Sequence, residues 1–416
     1  MLPAAFAQTG PSLSIDEAVR LALAQSPRLK AARFEAQAAQ AETDRDKPAA
    51  SPTVTTTAEG RLQGPRVTFP RLGGDDTVIP ERYGRVELSL EQPLYHAGMG
   101  AARTRYAAQT RANATELERQ RNDLILEVRR AWHQVAASEA MADIARQGVA
   151  LARKHLDLTR LMLQAGNASE RDVKASDADL AEAEQGAEKA ENGAAMARAN
   201  LNRSLGRDPS TLFSMADLTA IPPLPASPDE GIVMALRRRP EIRALEEGIA
   251  ASRAGASLAA TQNQPTLAGR ATAAAQTPTA LTSSRYFAAG LVVTWNPFDT
   301  ARTRADVREA KAKTAQLEAQ LDEARLGIRV EVDKAWRDMR EAAARIETSG
   351  RQVAAAQAAL DISELRYQQR AATQLEVSSA LFNVTKARGN QEQARADLRI
   401  AAAEYAHATA ADTDQK

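Results

Sequence analysis

Residues 128–163, VRRAWHQVAASEAMADIARQGVALARKHLDLTRLML, place an apolar or small side chain at every seventh position. These positions are Val128, Val135, Ala142, Val149, Leu156 and Leu163. An α-helix has about 3.6 residues per turn, so a strict seven-residue repeat keeps one continuous seam only when helices wind around each other left-handedly. The segment therefore predicts a long helix in a coiled-coil assembly.

A second seam lies in the other half of the chain, offset from the first by 204 positions. Its members are Val332, Met339, Ile346, Val353, Leu360 and Tyr367. No proline interrupts residues 101–204 or 301–416, and a helix over residues 98–165 would be roughly 100 Å long. The repeat predicts an internally duplicated, mainly α-helical protein built from two long helical hairpins.

Four shorter segments alternate apolar and polar side chains. They are residues 52–63 and 83–94 in the first half and 265–276 and 285–296 in the second. A period of two predicts β-strands, and roughly nine to eleven residues is the length at which a tilted strand crosses a bilayer. Residues 64–81 are expected to form a loop, and Pro93 to end the second strand.

Turn and cap signals divide the chain further. Ser14 and Glu17 form a capping-box pattern that opens a helix towards Arg45, within which Pro27 predicts either a kink at Ser26 or two successive helices. The predicted organisation is a tail over 1–12, a first repeat over 13–206, a Pro-rich equatorial linker over 207–228, a second repeat over 229–408 and a tail over 409–416. Ala5-Phe6-Ala7 resembles the end of a secretory signal peptide, with an ordinary disordered terminus as the alternative.

Composition excludes several classes of function. Lys plus Arg total 54 against 53 for Asp plus Glu, so no bulk charge favours nucleic acid. The chain has no cysteine, which excludes disulfides, thiolate chemistry and a lipid anchor on an N-terminal Cys. The four histidines have no paired spacing, and no phosphate-binding loop or nucleophile elbow is present. We predict neither an enzyme nor a metal or cofactor site.

The strands decide between the remaining functions. Four strands cannot close a membrane barrel, so several chains would have to share their strands. In such a barrel Val86, Leu88 and Leu90 would face lipid, and Glu87 and Glu91 would face water. A barrel joined to long helices is a conduit. The alternatives are a soluble coiled-coil scaffold, which has no use for the strands, and a periplasmic adaptor, which has one hairpin rather than two.

Several motifs in a fixed order resemble the TolC-like outer-membrane efflux protein family. They are LSIDEA at 13–18 followed by Ser26-Pro27, QPLYHAG at 92–98, AGN at 165–167 and LNRSLG at 201–206. The resemblance implies a homotrimer with a twelve-stranded outer-membrane β-barrel and a twelve-helix periplasmic tunnel. It also implies an exit duct of a tripartite efflux or type I secretion system in a Gram-negative bacterium. Its partners would be outer-membrane lipid, a periplasmic adaptor and an inner-membrane transporter.

The resemblance also implies that the helix tips close the tunnel at rest. Asp172 and Glu376 match acidic gate positions of the family, and Tyr367 matches a tyrosine that ties helix pairs together. Ala372 stands where related channels carry a gate arginine and Ser379 where they carry a second acid, so Arg370 or Arg171 could supply other links. Candidates for docking the adaptor are the residues of the two tips: Gly166, Asn167, Ala168, Ser169, Ala371, Ala372 and Thr373.

Each gate candidate also has a purely structural interpretation. Asp172 and Glu376 could be solvated acids at the start of a helix, where the helix dipole favours negative charge. Tyr367 continues the second heptad seam, so it could serve in packing alone.

Overall fold

The computed structural model describes residues 11–45, 47, 51–72, 74–216 and 223–411. The chain forms two compact units. The first consists of Met1–Gln37, Ala114–Arg243 and Asp322–Lys416, and the second of Ala38–Asn113 and Ala244–Leu321. Residues 1–10, 217–222 and 412–416, which contain the signal-like segment and parts of the expected linker and C-terminal tail, lie outside the described residues.

The fold is mainly α-helical with a small β part, as the sequence predicts. The helices are α1 (Ile15–Gln25), α2 (Pro27–Arg45), α3 (Met99–Gln164), α4 (Glu170–Leu205), α5 (Asp229–Arg238), α6 (Pro240–Ala259), α7 (Thr300–Gln368) and α8 (Gln374–Ala408). The strands are β1 (Ser12–Leu13), β2 (Thr53–Leu62), β3 (Val67–Arg71), β4 (Gly74–Ile79), β5 (Arg82–His96), β6 (Ser214–Met215), β7 (Thr266–Gln276) and β8 (Arg285–Thr294). No helix within the described ranges is both long enough and apolar enough to cross a membrane.

The first proline break produces two helices rather than one kinked helix. Ser14 caps α1 and exchanges hydrogen bonds with Glu17, as the capping-box pattern predicts. At Ser26 the backbone turns to φ −55° and ψ 124°, and α2 starts at Pro27. A residue before proline avoids the α region, and proline fits the first helical position because it needs no N–H donor there.

The heptad seams form the core of the first unit. Val128, Val135 and Leu156 on α3 are at most 2% exposed, and so are Val332 and Leu360 on α7. Each such side chain contributes about 1.5–3 kcal/mol relative to an exposed one. Leu201 and Leu205 of α4 pack with α1 and with Phe213 in the same cluster as the α3 seam. The sequence pattern that predicts the coiled coil thus also selects the buried face.

Trp132 and Trp336 occupy equivalent positions of the two repeats, 204 residues apart, and one of them holds the Pro-rich segment. The indole Nε1 of Trp336 on α7 donates to the backbone oxygen of Pro225 at 2.9 Å. Its counterpart Trp132 on α3 is buried, with 2% exposure. The two copies of the repeat therefore use equivalent tryptophans differently.

In the second unit, β2, β5, β7 and β8 form one antiparallel sheet in the order β2-β5-β7-β8. Residues in cross-strand register share a face of a sheet. Leu88 is opposite Thr56 and Ala273, which in turn is opposite Phe287, so the apolar residues of β5 and β8 share one face. On the other face Arg270 forms an ion pair with Glu91 at 2.7 Å.

The structure corrects two details of the strand prediction. Residues 64–81 contain a second hairpin, β3 and β4, in which β-branched residues such as Val67, Thr68 and Thr77 favour the strands. Strand β5 also continues through Pro93 to His96. The pairing with β7 shifts its register between Pro93 and Tyr95, and a bulge of this kind accommodates a proline within a sheet.

Candidate functional site at the helix tips

The first helix tip is a tight turn between α3 and α4. Gly166 adopts φ 72°, and its N–H donates to Leu163 O at 2.9 Å. The N–H of Asn167 donates to Met162 O at 2.7 Å, which completes a Schellman-type stop. Ser169 then caps α4. These local bonds reverse the chain at residues 166–169, as the Gly-Asn-Ala-Ser sequence predicts.

The second tip, between α7 and α8, repeats this geometry with different residues. Arg370 occupies the left-handed position with φ 60°, and its N–H donates to Tyr367 O at 3.0 Å. The N–H of Ala371 donates to Arg366 O at 2.7 Å, and Thr373 caps α8. A side chain with a Cβ atom therefore stands where the first tip has glycine, at an energetic cost to the backbone.

Both acidic candidates belong to capping boxes. The Ser169 N–H donates to Asp172 Oδ2 at 2.9 Å, and the Asp172 N–H donates to Ser169 Oγ at 3.2 Å. The backbone hydrogen bond from Ser169 lowers the pKa of Asp172. Glu376 makes the same reciprocal pair with Thr373. The helix-start role is thus present in the single chain, and the gate role stays a prediction.

Tyr367 is a packing residue within the chain. It is 6% exposed and belongs to a cluster with Leu360, Val377 and Val384. Its ring lies 5.5 Å from that of His155, and its hydroxyl lies 3.5 Å from Thr159 Oγ1. Both partners belong to α3, so Tyr367 joins the second hairpin to the first.

Arg366, which sequence reasoning missed, is a cation that contacts the second tip. Its Nη2 donates to Ala371 O at 2.8 Å, and its Nη1 lies 3.9 Å from Glu376. The side chain of Arg370 is exposed. Of the docking candidates, Gly166, Ser169, Ala371 and Thr373 are exposed, and Asn167, Ala168 and Ala372 are half-buried.

A polar cluster between the two hairpins was also missed. Asp179 on α4 accepts hydrogen bonds from two α8 residues, Gln374 Nε2 at 3.0 Å and Ser378 Oγ at 2.6 Å. Next to it, the hydroxyl oxygens of Thr159 and Ser176 are hydrogen-bonded at 3.3 Å. On α4 the residues Val173, Leu180, Ala187, Ala194 and Leu201 also recur at every seventh position, and Ser176 lies three residues after Val173. A polar residue at such a seam position is the signal that could have revealed the cluster.

Within the residues that the structure describes, no group of three or more His, Cys, Asp or Glu side chains could hold a metal ion.

The family model described as outer membrane efflux protein matches residues 18–207 and 231–411. These two ranges correspond to the two copies of the repeat and together cover most of the chain. The chain belongs to the outer membrane efflux protein family.

This outer membrane efflux protein is similar in sequence to Protein CyaE of Bordetella pertussis. The two are 29% identical over 350 residues, which cover 81% of this chain and 71% of the relative. Among solved structures it resembles the outer-membrane channel OprN, with 25% identity and a TM-score of 0.79 over 95% of this chain and 89% of OprN. It has the same fold as CusC, with 17% identity and a TM-score of 0.81 over 98% of this chain and 95% of CusC.

Family and structural relatives agree on the class of protein. The outer membrane efflux proteins are a channel family rather than an enzyme family, and the TolC-like fold implied by the resemblance of the sequence motifs is confirmed.

Proposed function

We propose that this protein is the outer-membrane exit duct of a tripartite efflux or type I secretion system. The observation that carries the proposal is the sheet of the second unit. Within the described part of the chain its two edge strands each have one unpaired side, and its two faces differ in polarity. The family match supports the channel over the coiled-coil scaffold and over the adaptor.

The edges of the sheet favour closure between copies. Strands β2 and β8 each pair with one neighbour within the chain. In lipid, each unpaired backbone group costs several kcal/mol, so an open edge is not viable there. In an antiparallel sheet of four strands, β2 and β8 run in opposite directions, so β8 of one copy can pair with β2 of the next. Three copies would form a twelve-stranded barrel.

The faces of the sheet fit a membrane on one side and water on the other. Residues of the apolar face are 40–73% exposed in the single chain: Val86, Leu88, Leu90, Phe287, Leu291 and Val293. The opposite face carries charged and hydroxyl side chains, among them Glu87, Ser89, Glu91 and Arg270. An outward apolar band around a polar interior is the pattern of outer-membrane barrels.

The long hairpins would line a periplasmic tunnel of twelve helices, closed at rest by the two tips of each copy. We assign gating to Asp172, Glu376, Tyr367 and Arg370, and docking of the adaptor to the tip residues 166–169 and 371–373. Substrates would pass through this tube without a dedicated binding site, driven by the inner-membrane transporter of the assembly.

The first test is the oligomeric state and conductance of the purified protein. In detergent, light scattering should give a particle containing three chains of 44.7 kDa. In planar bilayers, small cation-selective currents are expected, because acidic rings at closed tips would attract cations. A monomer or dimer without channel activity would contradict the duct and favour the scaffold.

A further inference from the structure

His155 is the most deeply buried histidine of the chain. It lies on α3 with 4% exposure, and its Nε2 has no hydrogen-bond partner among the described residues. Burial lowers the pKa of His155, and the carboxylate of Asp179 opposes that lowering. An imidazole in this position is neutral near pH 7 and would need an anionic partner once protonated.

The surroundings of His155 contain one such anion. The carboxylate of Asp179 acts on it from α4, the tilted ring of Tyr367 on α7 has its centroid 5.5 Å away, and the neutral α8 residues Gln374 and Ser378 contact Asp179. The carboxylate of Asp179 is at present occupied by the two α8 donors. The same carboxylate therefore joins the two hairpins and also opposes the lowering of the pKa of His155.

Protons can reach this cluster from solvent. An open groove of about 830 Å³ is lined by Asp179 and Ser378, and also by Ala152, which lies about one helical turn before His155 on α3. The cluster is therefore buried but borders a water-accessible surface.

We propose that protonation of His155 releases the contact between the two helical hairpins, α3–α4 and α7–α8. In the neutral state, Asp179 holds α8 through Gln374 and Ser378. A proton taken from solvent turns His155 into an imidazolium, which draws the Asp179 carboxylate away from the α8 donors, and α7–α8 then loosens from α3–α4. Because burial lowers the pKa of His155, protonation and release begin only at a pH below the ordinary histidine pKa of about 6.5, and they reverse as the pH rises again.

The consequence for transport rests on the proposed function, since loosening matters to flow only if the tips close the tunnel. In that case acidification of the periplasm would favour the open tip. The experiment separates the two ideas by measuring the movement of the hairpins and the current independently.

The absence of cysteine allows a direct measurement of movement. Leu161→Cys on α3 and Ile362→Cys on α7 replace exposed side chains and would be the only thiols of the chain. Spin labels at both sites, in full-length protein diluted with unlabelled chains, report the separation of the hairpins by pulsed EPR between about pH 7.5 and about pH 4.5. Conductance in planar bilayers is recorded over the same range.

The matched control is His133→Gln. His133 is also a buried histidine of α3, but burial lowers its pKa to about 4, so it stays mostly neutral over the titration. His155→Gln should abolish the pH-dependent change in distance, and His133→Gln should preserve it. Asp179→Asn removes the carboxylate that the imidazolium would draw away from α8, so the pH-dependent change in distance should be lost in this variant as well.

A distance change of the same size in His155→Gln, or none in the parent protein down to about pH 4.5, would overturn the release. A distance change that depends on His155 without a change in current would support the release and contradict the gate at the tips. An increase in current that accompanies the distance change would support both.

Discussion

At residue 370 the backbone carries a cost that the first repeat avoids. The left-handed conformation brings Cβ of Arg370 close to the following carbonyl oxygen, whereas Gly166 at the equivalent position has no Cβ. Arg370→Gly should therefore raise the free energy of unfolding by about 1 kcal/mol, measured by thermal or chemical denaturation.

Arg370→Ala is the control for this substitution. It removes the guanidinium and keeps the Cβ atom, so no comparable gain is expected. An equal gain in both variants would show that charge, and not backbone conformation, limits stability at the second tip.

Asp172 holds a cap and is a gate candidate, and the two roles can be separated. Replacing Asp172 and Tyr367 together with Ala should raise single-channel conductance if they restrain the closed tip. Ser169→Ala also removes the cap, at a cost of about 1 kcal/mol, and leaves the carboxylate in place.

The comparison is made in planar bilayers. Unchanged conductance in the double variant would leave packing and capping as the only roles of these residues. An equal increase in Ser169→Ala would attribute the effect to fraying of α4.

At the scale of elements, an arginine ladder joins α3 to α4 at seven-residue intervals. Arg146 pairs with Glu191 at 3.0 Å, Arg153 with Glu184 at 2.7 Å and Arg160 with Asp177 at 3.7 Å. The charges lie beside the apolar seam, where they fix the register of antiparallel helices. Each partner is about half exposed, so each pair contributes little to stability.

Arg153→Glu should destabilise the first hairpin by less than about 1 kcal/mol, because it sets two carboxylates against each other across the seam. Arg153→Glu combined with Glu184→Arg should restore most of the loss. The melting temperatures of the parent, the two single variants and the double variant form the cycle that measures the coupling. Additive losses in the double variant would mean that the two side chains do not interact.

The helices and strands were predictable because their signals are local. The seam through Val128 and Val332 and the alternation through Leu88 report the periodicity of one segment, and both were confirmed. The bulge that carries β5 past Pro93 depends on its partner β7, and no property of residues 92–96 alone encodes it.

The tips likewise combine features that local sequence predicts with contacts that it does not. Gly166 and Ser169 signal a turn and a cap within a few residues, so the reversal of the chain was predictable. The contact of Tyr367 with His155 and the bonds from α8 to Asp179 join residues about 200 positions apart. They arise only when four helices pack, and the single sequence shows no local pattern for them.

At the scale of the whole molecule, the two faces of the sheet predict opposite responses to charge. Leu291 lies on the apolar face and Val292 on the other, one residue apart on β8. Leu291→Arg should make membrane insertion less favourable by about 2–4 kcal/mol if residue 291 faces the middle of the bilayer, while Val292→Arg should be tolerated. Folding into lipid vesicles under urea measures both variants.

Equal tolerance of the two substitutions would contradict the assignment of the faces. Loss of insertion in both would point to a defect in the strand itself rather than to its exposure to lipid.

The free edges of β2 and β8 also have a consequence for inheritance. In the proposed ring every copy supplies one edge to each neighbour, so one copy with a defective β8 would leave a gap that its healthy partners cannot close. In a cell that makes both forms, only rings drawn entirely from intact copies would work. A lesion in this strand is therefore expected to behave as dominant, whereas deletion of one of two gene copies would be silent.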